Sequence, residues 1–237
     1  MLKRLIVTAL VPCCLAGGAQ AGMDMADCAP VQRAGDYPFD YNNLEKRAKL
    51  LGTVEMYHFN RNVEALVRGM TSAHPFPDIA YTLNHVPNHP RALQSLLRLA
   101  VREKATHIQK SSVSVECFIK RAIEFAPDDL VPQMTLAQYY AVQGKQDAAL
   151  ALLLDAEKKA PDHPNLAYNI GLLQVDLKRY DAALTYAHRA YQAGFPLPGL
   201  RDKLKRAGVW REPAAVAAPS KSADVTPPAD VVPVVKP

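Results

Sequence analysis

Arg91, Gln94, Arg98 and Arg102 follow one another at steps of three, four and four residues, the spacing that puts side chains on one face of a helix. A row of guanidinium forks suits carboxylates, because each fork can donate two parallel N–H bonds to one acid group. The same spacing also describes an ordinary solvated helix face. His85 and His89 have the i, i+4 separation of a helical metal pair, but Pro87 lies between them and breaks the helix that the pair would need. His58, His74, His107, His163 and His188 are scattered, with His163 at an expected turn. The chain holds no HExxH, GxSxG or GxGxxG, and Gly144-Lys145 lacks the upstream glycine of a phosphate loop. No catalytic residue, metal site or cofactor is therefore expected, and the chain reads as a binder rather than an enzyme. An enzyme would have to assemble its site in three dimensions from the scattered histidines and the aromatic-rich N-terminal third.

A repeat sets the elements that would carry the stripe. Laid 34 residues apart, Leu130–His163 and Pro164–Leu197 put Leu136 on Ile170, Ala137 on Gly171, Ala149 on Ala183 and Ala156 on Ala190. These small and apolar positions resemble the tetratricopeptide repeat, a helix-turn-helix unit of 34 residues. Small residues let the first helix of a unit approach the second, while Leu and Ile fill the space between. One such pair cannot bury its face alone, so about three or more units are expected to stack, with atypical units at the ends. The fold class that follows is all-α: a short α-solenoid of helix-turn-helix repeats, with an N-terminal cap segment and a C-terminal capping helix.

The flanks extend the pattern. Pro87-Asn88-His89-Pro90 echoes Pro161-Asp162-His163-Pro164, and an apolar helix follows each. The interval from Pro87 to Pro127 is 40 residues, so the six extra residues are placed in a loop at Ala105–Ser112, between helices at about Pro90–Lys104 and Val113–Phe125. Downstream, Leu200, Leu204 and Ala207 form an apolar stripe opposite Arg201, Lys203, Lys205 and Arg206, as expected of a capping helix with Trp210 as a lid. The basic side could also be a docking patch. Upstream of Pro87, Asn62–Met70 is expected as a short helix capped by Asn60 or Asn62, with Val63, Leu66 and Val67 facing inward. Another short helix is expected at about Asp78–His85.

The resulting division is a signal peptide at 1–21, an N-terminal cap or atypical repeat at 22–86 and a degenerate repeat-like unit at 87–127. Repeats follow at 130–163 and 164–197, then a capping helix at 198–210 and a tail at 211–237. The leader is read from Lys3 and Arg4 ahead of an apolar run from Leu5 to Ala16, with Ala19-Gln20-Ala21 as the cleavage site. Lipidation at Cys13 is the weaker alternative, because Pro12 stands where a small residue is usual. From Pro213 onward the tail holds six Pro, six Ala, six Val and no aromatic, and is expected to be disordered or polyproline-like. No other stretch approaches the ~20 apolar residues of a membrane span. A periplasmic or secreted protein is the expectation.

Cleavage would leave Cys28 and Cys117 as the two thiols, and an oxidising compartment makes their disulfide the default. It would pin the N-terminal segment onto the first repeat. Removing Lys3 and Arg4 from the 28 basic residues leaves 26 against 23 acidic ones, a formal charge of +3. That excess is too small and too interspersed to suggest nucleic acid as a partner.

A closer resemblance rests on Tyr37-Pro38-Phe39-Asp40-Tyr41, on Val54-Glu55 with His58-Phe59, on Ala80-Tyr81-Thr82-Leu83, on Pro87-Asn88-His89, and on Gly194-Phe195-Pro196-Leu197-Pro198-Gly199-Leu200-Arg201. Over most of residues 28 to 210 these words are similar to a family of small exported proteobacterial tetratricopeptide proteins, from which no activity can be transferred. The repeat register implies an inner groove of Arg91, Gln94, Arg98 and Arg102, then Met134 and Gln138, then Tyr168 and Leu172. It would be an arginine stripe beside an apolar floor. Met134 and Gln138 stand where a carboxylate-clamp groove has Lys and Asn, which departs from that subtype. The expected function is a scaffold for protein–protein or protein–peptide interaction in the bacterial envelope. The alternative is an accessory protein of a polysaccharide or transport system that binds anionic glycan, with Tyr168 and Trp210 as stacking surfaces.

Overall fold

The computed structural model describes residues 28–213; the expected signal peptide and the expected tail beyond residue 213 lie outside the described residues. Within them the regular structure is helical, save one isolated bridge between Ala34 and Tyr37. In chain order come α1 (Leu44–Lys46), a π-helical turn (Arg47–Leu51), α2 (Gly52–His58), α3 (Arg61–Glu64), α4 (Phe76–His85) and α5 (Pro90–Glu103). A 3₁₀ turn (Ile108–Lys110) leads to α6 (Val115–Phe125), α7 (Leu130–Val142), α8 (Gln146–Lys159), α9 (Pro164–Asp176), α10 (Tyr180–Gln192) and α11 (Gly199–Arg206). No described helix is long and apolar enough to cross a membrane.

Three of these helices start alike. His89 caps α5 by accepting from the Ala92 N–H through Nδ1, and His163 caps α9 by accepting from the Leu166 N–H. The Asp129 carboxylate caps α7 by accepting from the Val131 N–H. Each cap lies two residues after a proline, Pro87, Pro127 or Pro161, which spaces the caps by 40 and 34 residues. Pro90 and Pro164 then fill the first helical position, where the missing N–H costs nothing.

Packing follows chain order: α7 on α8, α8 on α9, α9 on α10, with α11 against both α9 and α10. The close approaches use the small residues: Ala137, Ala149, Ala156, Ala183 and Ala190 are all buried. Gly171 allows a close approach, since a Cβ there would come within 2.5 Å of a Leu200 methyl and force that side chain to shift where α11 closes over α9. Leu200 and Leu204 are fully buried in α11, but Ala207, expected on the same stripe, is exposed. Trp210 sits edge-on to Tyr191 and His188, under the Arg201 guanidinium.

Two expectations change in detail. The connection after α5 begins at Lys104, which turns left-handed, and it is not merely surface loop, because Ile108 is buried in the core with Leu93, Leu96, Leu97 and Ile119. Asn60 does cap α3, accepting from the N–H groups of Asn62 and Val63, yet the helix stops at Glu64, and Leu66 takes a φ of +59°. Val67, expected to face inward, is therefore 70% exposed.

Candidate functional site

The arginine face of α5 is spanned by the chain's own N-terminal segment. Arg91 pairs with Glu55 of α2 and, at 2.8 Å, with Glu64 of α3. Arg98 donates to the Glu64 carbonyl at 2.6 Å and to Ser95 Oγ, and Arg102 donates to the Leu66 carbonyl at 2.8 Å. The guanidinium forks thus meet oxygens 27 to 36 residues earlier in the chain. Gln94 is half-buried and reaches Thr135 Oγ1. Met134, Gln138, Tyr168 and Leu172, expected as a solvent-facing groove floor, are 0, 3, 3 and 4% exposed. Tyr168 is covered by the Phe195 ring, tilted against it at 4.3 Å, and by Gly199, which lies against its hydroxyl, while Met134 packs between α7, α8 and α9. Burial pushes the Tyr168 hydroxyl up to about 12, and with its surface covered Tyr168 offers no open stacking surface to a sugar. The space lined by Met134, Gln138, Asn169 and Leu173 is about 10 Å³, room for a water at most.

What the N-terminal segment presents outward is organised by Asp78, whose side chain is fully buried at the start of α4. Its carboxylate accepts from Met70 N–H at 2.7 Å, Thr71 N–H at 3.2 Å and Thr71 Oγ1 at 3.1 Å, and it meets His58 Nδ1 at 3.0 Å. One acid therefore ties α2, the turn after α3 and α4 together. Gly69 lets that turn close, because a Cβ there would fall 2.5 Å from the carbonyls of Ser72 and His74. His58 continues outward by stacking on Tyr81 at 3.6 Å, and Tyr81 stacks on His85 at 3.9 Å. Around this hub Met56, Tyr57, Met70 and Tyr81 are left exposed.

A second hub, Asn88, fixes the same segment from the other side. It donates to Asp40 Oδ1 and Asp129 Oδ2 and accepts from the Tyr41 N–H, so the start of α7 is joined to the aromatic turn before α1. Cys28 and Cys117 stand at bonding distance, Sγ to Sγ 1.94 Å, and join residues at the segment's beginning to α6. Beside this bridge opens a cleft lined by Ala29–Val31, Gln32, Ala34, Tyr37, Asn84, His85 and Arg121. Nothing in the residue spacing marked Asp78, Asn88 or Arg121. Asp78 draws its partners from an irregular turn seven and eight residues back, Asn88 from residues more than forty away, and Arg121 finds no hydrogen-bond partner among the described residues.

His89 is fully buried between these groups. Because Nδ1 accepts from the Ala92 N–H, the ring proton is on Nε2, which donates to Glu55 at 3.1 Å. Burial pulls the His89 ring below its ordinary value, and the hydrogen bond from His89 lowers the Glu55 carboxyl. Both groups bind protons more tightly in the unfolded chain, so stability is complete above the unfolded His value of about 6.5 and falls on acidification. Urea midpoints are expected to drop between about pH 7 and about pH 5, with a shallower drop in His89→Asn, which keeps a capping oxygen. Midpoints that hold steady or rise over that range would contradict the assignment.

Among the described residues no three His, Cys, Asp or Glu side chains gather as a metal site. No family model, no curated protein sequence and no solved structure matches this chain. The functional reading therefore rests on the chain's own residues.

Proposed function

We propose that this chain is an exported helical-repeat interaction module of the tetratricopeptide type, which holds a partner protein in the bacterial envelope. The observation that carries the reading is where apolar surface is left open. Among the described residues the exposed large hydrophobic side chains are Leu44, Met56, Tyr57, Val67, Met70 and Tyr81, and all belong to the segment ahead of α5. Exposed apolar groups that stand together mark interaction surfaces, where Tyr and Met are enriched, and Met70 and Tyr81 both flank the Asp78–His58 hub, next to Met56 and Tyr57 in α2. The docking face is thus the outer side of the N-terminal segment, with the arginine face of α5 as its anchor beneath.

The repeat reading draws support from the caps at His89, Asp129 and His163 and from the buried alanines of successive helix pairs. Export draws support from the leader-like residues 3–21 and from the Cys28–Cys117 pair, which suits an oxidising compartment. The glycan alternative has less behind it, since one of its two stacking surfaces, Tyr168, is buried.

Met56 and Tyr57 are 65 and 60% exposed, so the double change Met56→Asp, Tyr57→Asp should alter stability by no more than about 0.5 kcal/mol per site. Recovery of the partner with the affinity-tagged variant from cells is expected to fall at least about tenfold. Undiminished recovery would overturn the assignment of the face.

A further inference from the structure

Arg121 follows Cys117 by one turn of α6, and the disulfide lays the segment beginning at Cys28 alongside that turn. Between them lies a cleft of about 510 Å³, closed by Tyr37 and by Asn84 and His85 from the end of α4. That volume falls within the range of small-ligand sites. No residue lining it is acidic, and Arg121 is its one permanently charged group.

Like Arg201, whose Nε is also buried without an acceptor, Arg121 lacks the oxygen partner that several other arginines of the chain find. Arg91, Arg98, Arg102 and Arg189 each reach an oxygen of the chain. Arg121 has no hydrogen-bond or ion-pair partner among the described residues, its Nε is buried without an acceptor, and its guanidinium carbon lies 5.8 Å from the Phe118 ring centroid. A guanidinium drawn partly out of water without an acceptor is unfavourable, and an anion supplied by a ligand would remove that cost. A single positive charge matches a single negative one, and a guanidinium fork matches a carboxylate in particular.

The neighbouring groups narrow the ligand further. His85 donates through Nδ1–H to the Tyr81 carbonyl at 2.8 Å, so Nε2 of the neutral ring is an acceptor looking for an N–H. Asn84, Gln32 and the Tyr37 hydroxyl add neutral polar contacts, while Ala29, Pro30, Val31 and Ala34 form a wall of small apolar groups. We propose that the cleft binds the free carboxylate of an N-acylated amino acid: Arg121 grips the carboxylate, His85 accepts the amide N–H, and the Ala29–Ala34 wall covers a small aliphatic side chain. That chemistry is offered by a small acylated amino acid and by the C-terminus of a peptide. The site uses no residue of the α5 arginine face and does not depend on the docking face being correct.

The test is a titration of the oxidised protein followed by NMR of the Arg121, Asn84 and Gln32 side chains, with N-acetyl-L-alanine and N-acetyl-trialanine as probes. Saturable binding with a Kd below about 1 mM is expected for at least one of them. N-acetylalanine methylamide and inorganic phosphate should bind at least about tenfold more weakly, and Arg121→Gln and Asn84→Asp should each cost at least about tenfold in affinity. Trialanine binding at least as tightly as the monomer assigns the site to a chain terminus, and the reverse order assigns it to a small acylated amino acid. Absence of saturation by either carboxylate overturns the proposal. So does equal binding of the methylamide, phosphate binding as tight as the carboxylates, or unchanged affinity in both variants.

Discussion

Asp78→Ala is expected to destabilise the protein by about 3–5 kcal/mol, the cost of removing one member of a buried hydrogen-bonded charge cluster. The carboxylate is shielded from solvent and gathers two backbone N–H groups, a threonine hydroxyl and an imidazole. Alanine would take the shared acceptor from all four, and each donor that water cannot then reach costs about 1–3 kcal/mol before any relaxation. Because a domain of this kind has only about 5–15 kcal/mol in total, the loss would be a large fraction of its stability. Asp78→Asn keeps the shape and one acceptor oxygen, so a loss of about 1–3 kcal/mol is expected. Urea unfolding gives the magnitudes. Hydrogen exchange at the Met70 and Thr71 amides shows whether the turn opens before the rest of the molecule. A cost below about 1 kcal/mol for Asp78→Ala would show that the turn is held by other means.

Reducing the disulfide, or replacing both cysteines by serine, should have the next largest effect. The bridge spans 89 residues, and a cross-link of that length stabilises by about 4 kcal/mol in the chain-entropy account. For a chain of this size that corresponds to a drop of roughly 8–16 °C in midpoint temperature. The structural consequence should be confined. From Phe39 onward the segment is held independently: Phe39 is buried and bonded to the His85 carbonyl, and Asn88 grips Asp40 and Tyr41. Residues 29–36 are mostly exposed and rely on the bridge, with the Ala34–Tyr37 backbone pair and an exposed Lys46 contact to Asp36 as their other ties. The reduced protein should therefore keep its helix content while losing hydrogen-exchange protection at the Ala34 amide, and the Arg121 cleft would lose one wall. Identical thermal midpoints for the oxidised and reduced forms would contradict this reading.

Much of the helical framework could be read in the sequence because it depends on local signals. A proline two residues before a capping side chain, and small residues at helix crossings, act within one or two turns and leave a periodic trace; His89, Asp129 and His163 are the result. The open groove could not be read in the same way. Periodicity shows that Arg91, Arg98 and Arg102 share a face, but not that Glu55, Glu64 and the Leu66 carbonyl come to meet it. The burial of Tyr168 depends on Phe195, in the irregular last residues of the second repeat, and on Gly199 just beyond it, neither of which belongs to the repeating pattern. Asp78 looked like an ordinary acid in the first turn of a short helix, a position favoured by the helix dipole alone. Its role comes from an irregular turn whose left-handed Leu66 and side-chain-free Gly69 obey no period.

The most direct measurement of the central claim is photo-crosslinking in cells. A photo-reactive residue would replace Tyr57 on the outer N-terminal face, with a second at Lys158 of α8 as the control, a position also highly exposed. Mass spectrometry of the trapped adducts should find one reproducible protein partner from Tyr57 and none of it from Lys158. The same adducts from both positions, or no protein adduct from Tyr57, would contradict an interaction module that works through this face.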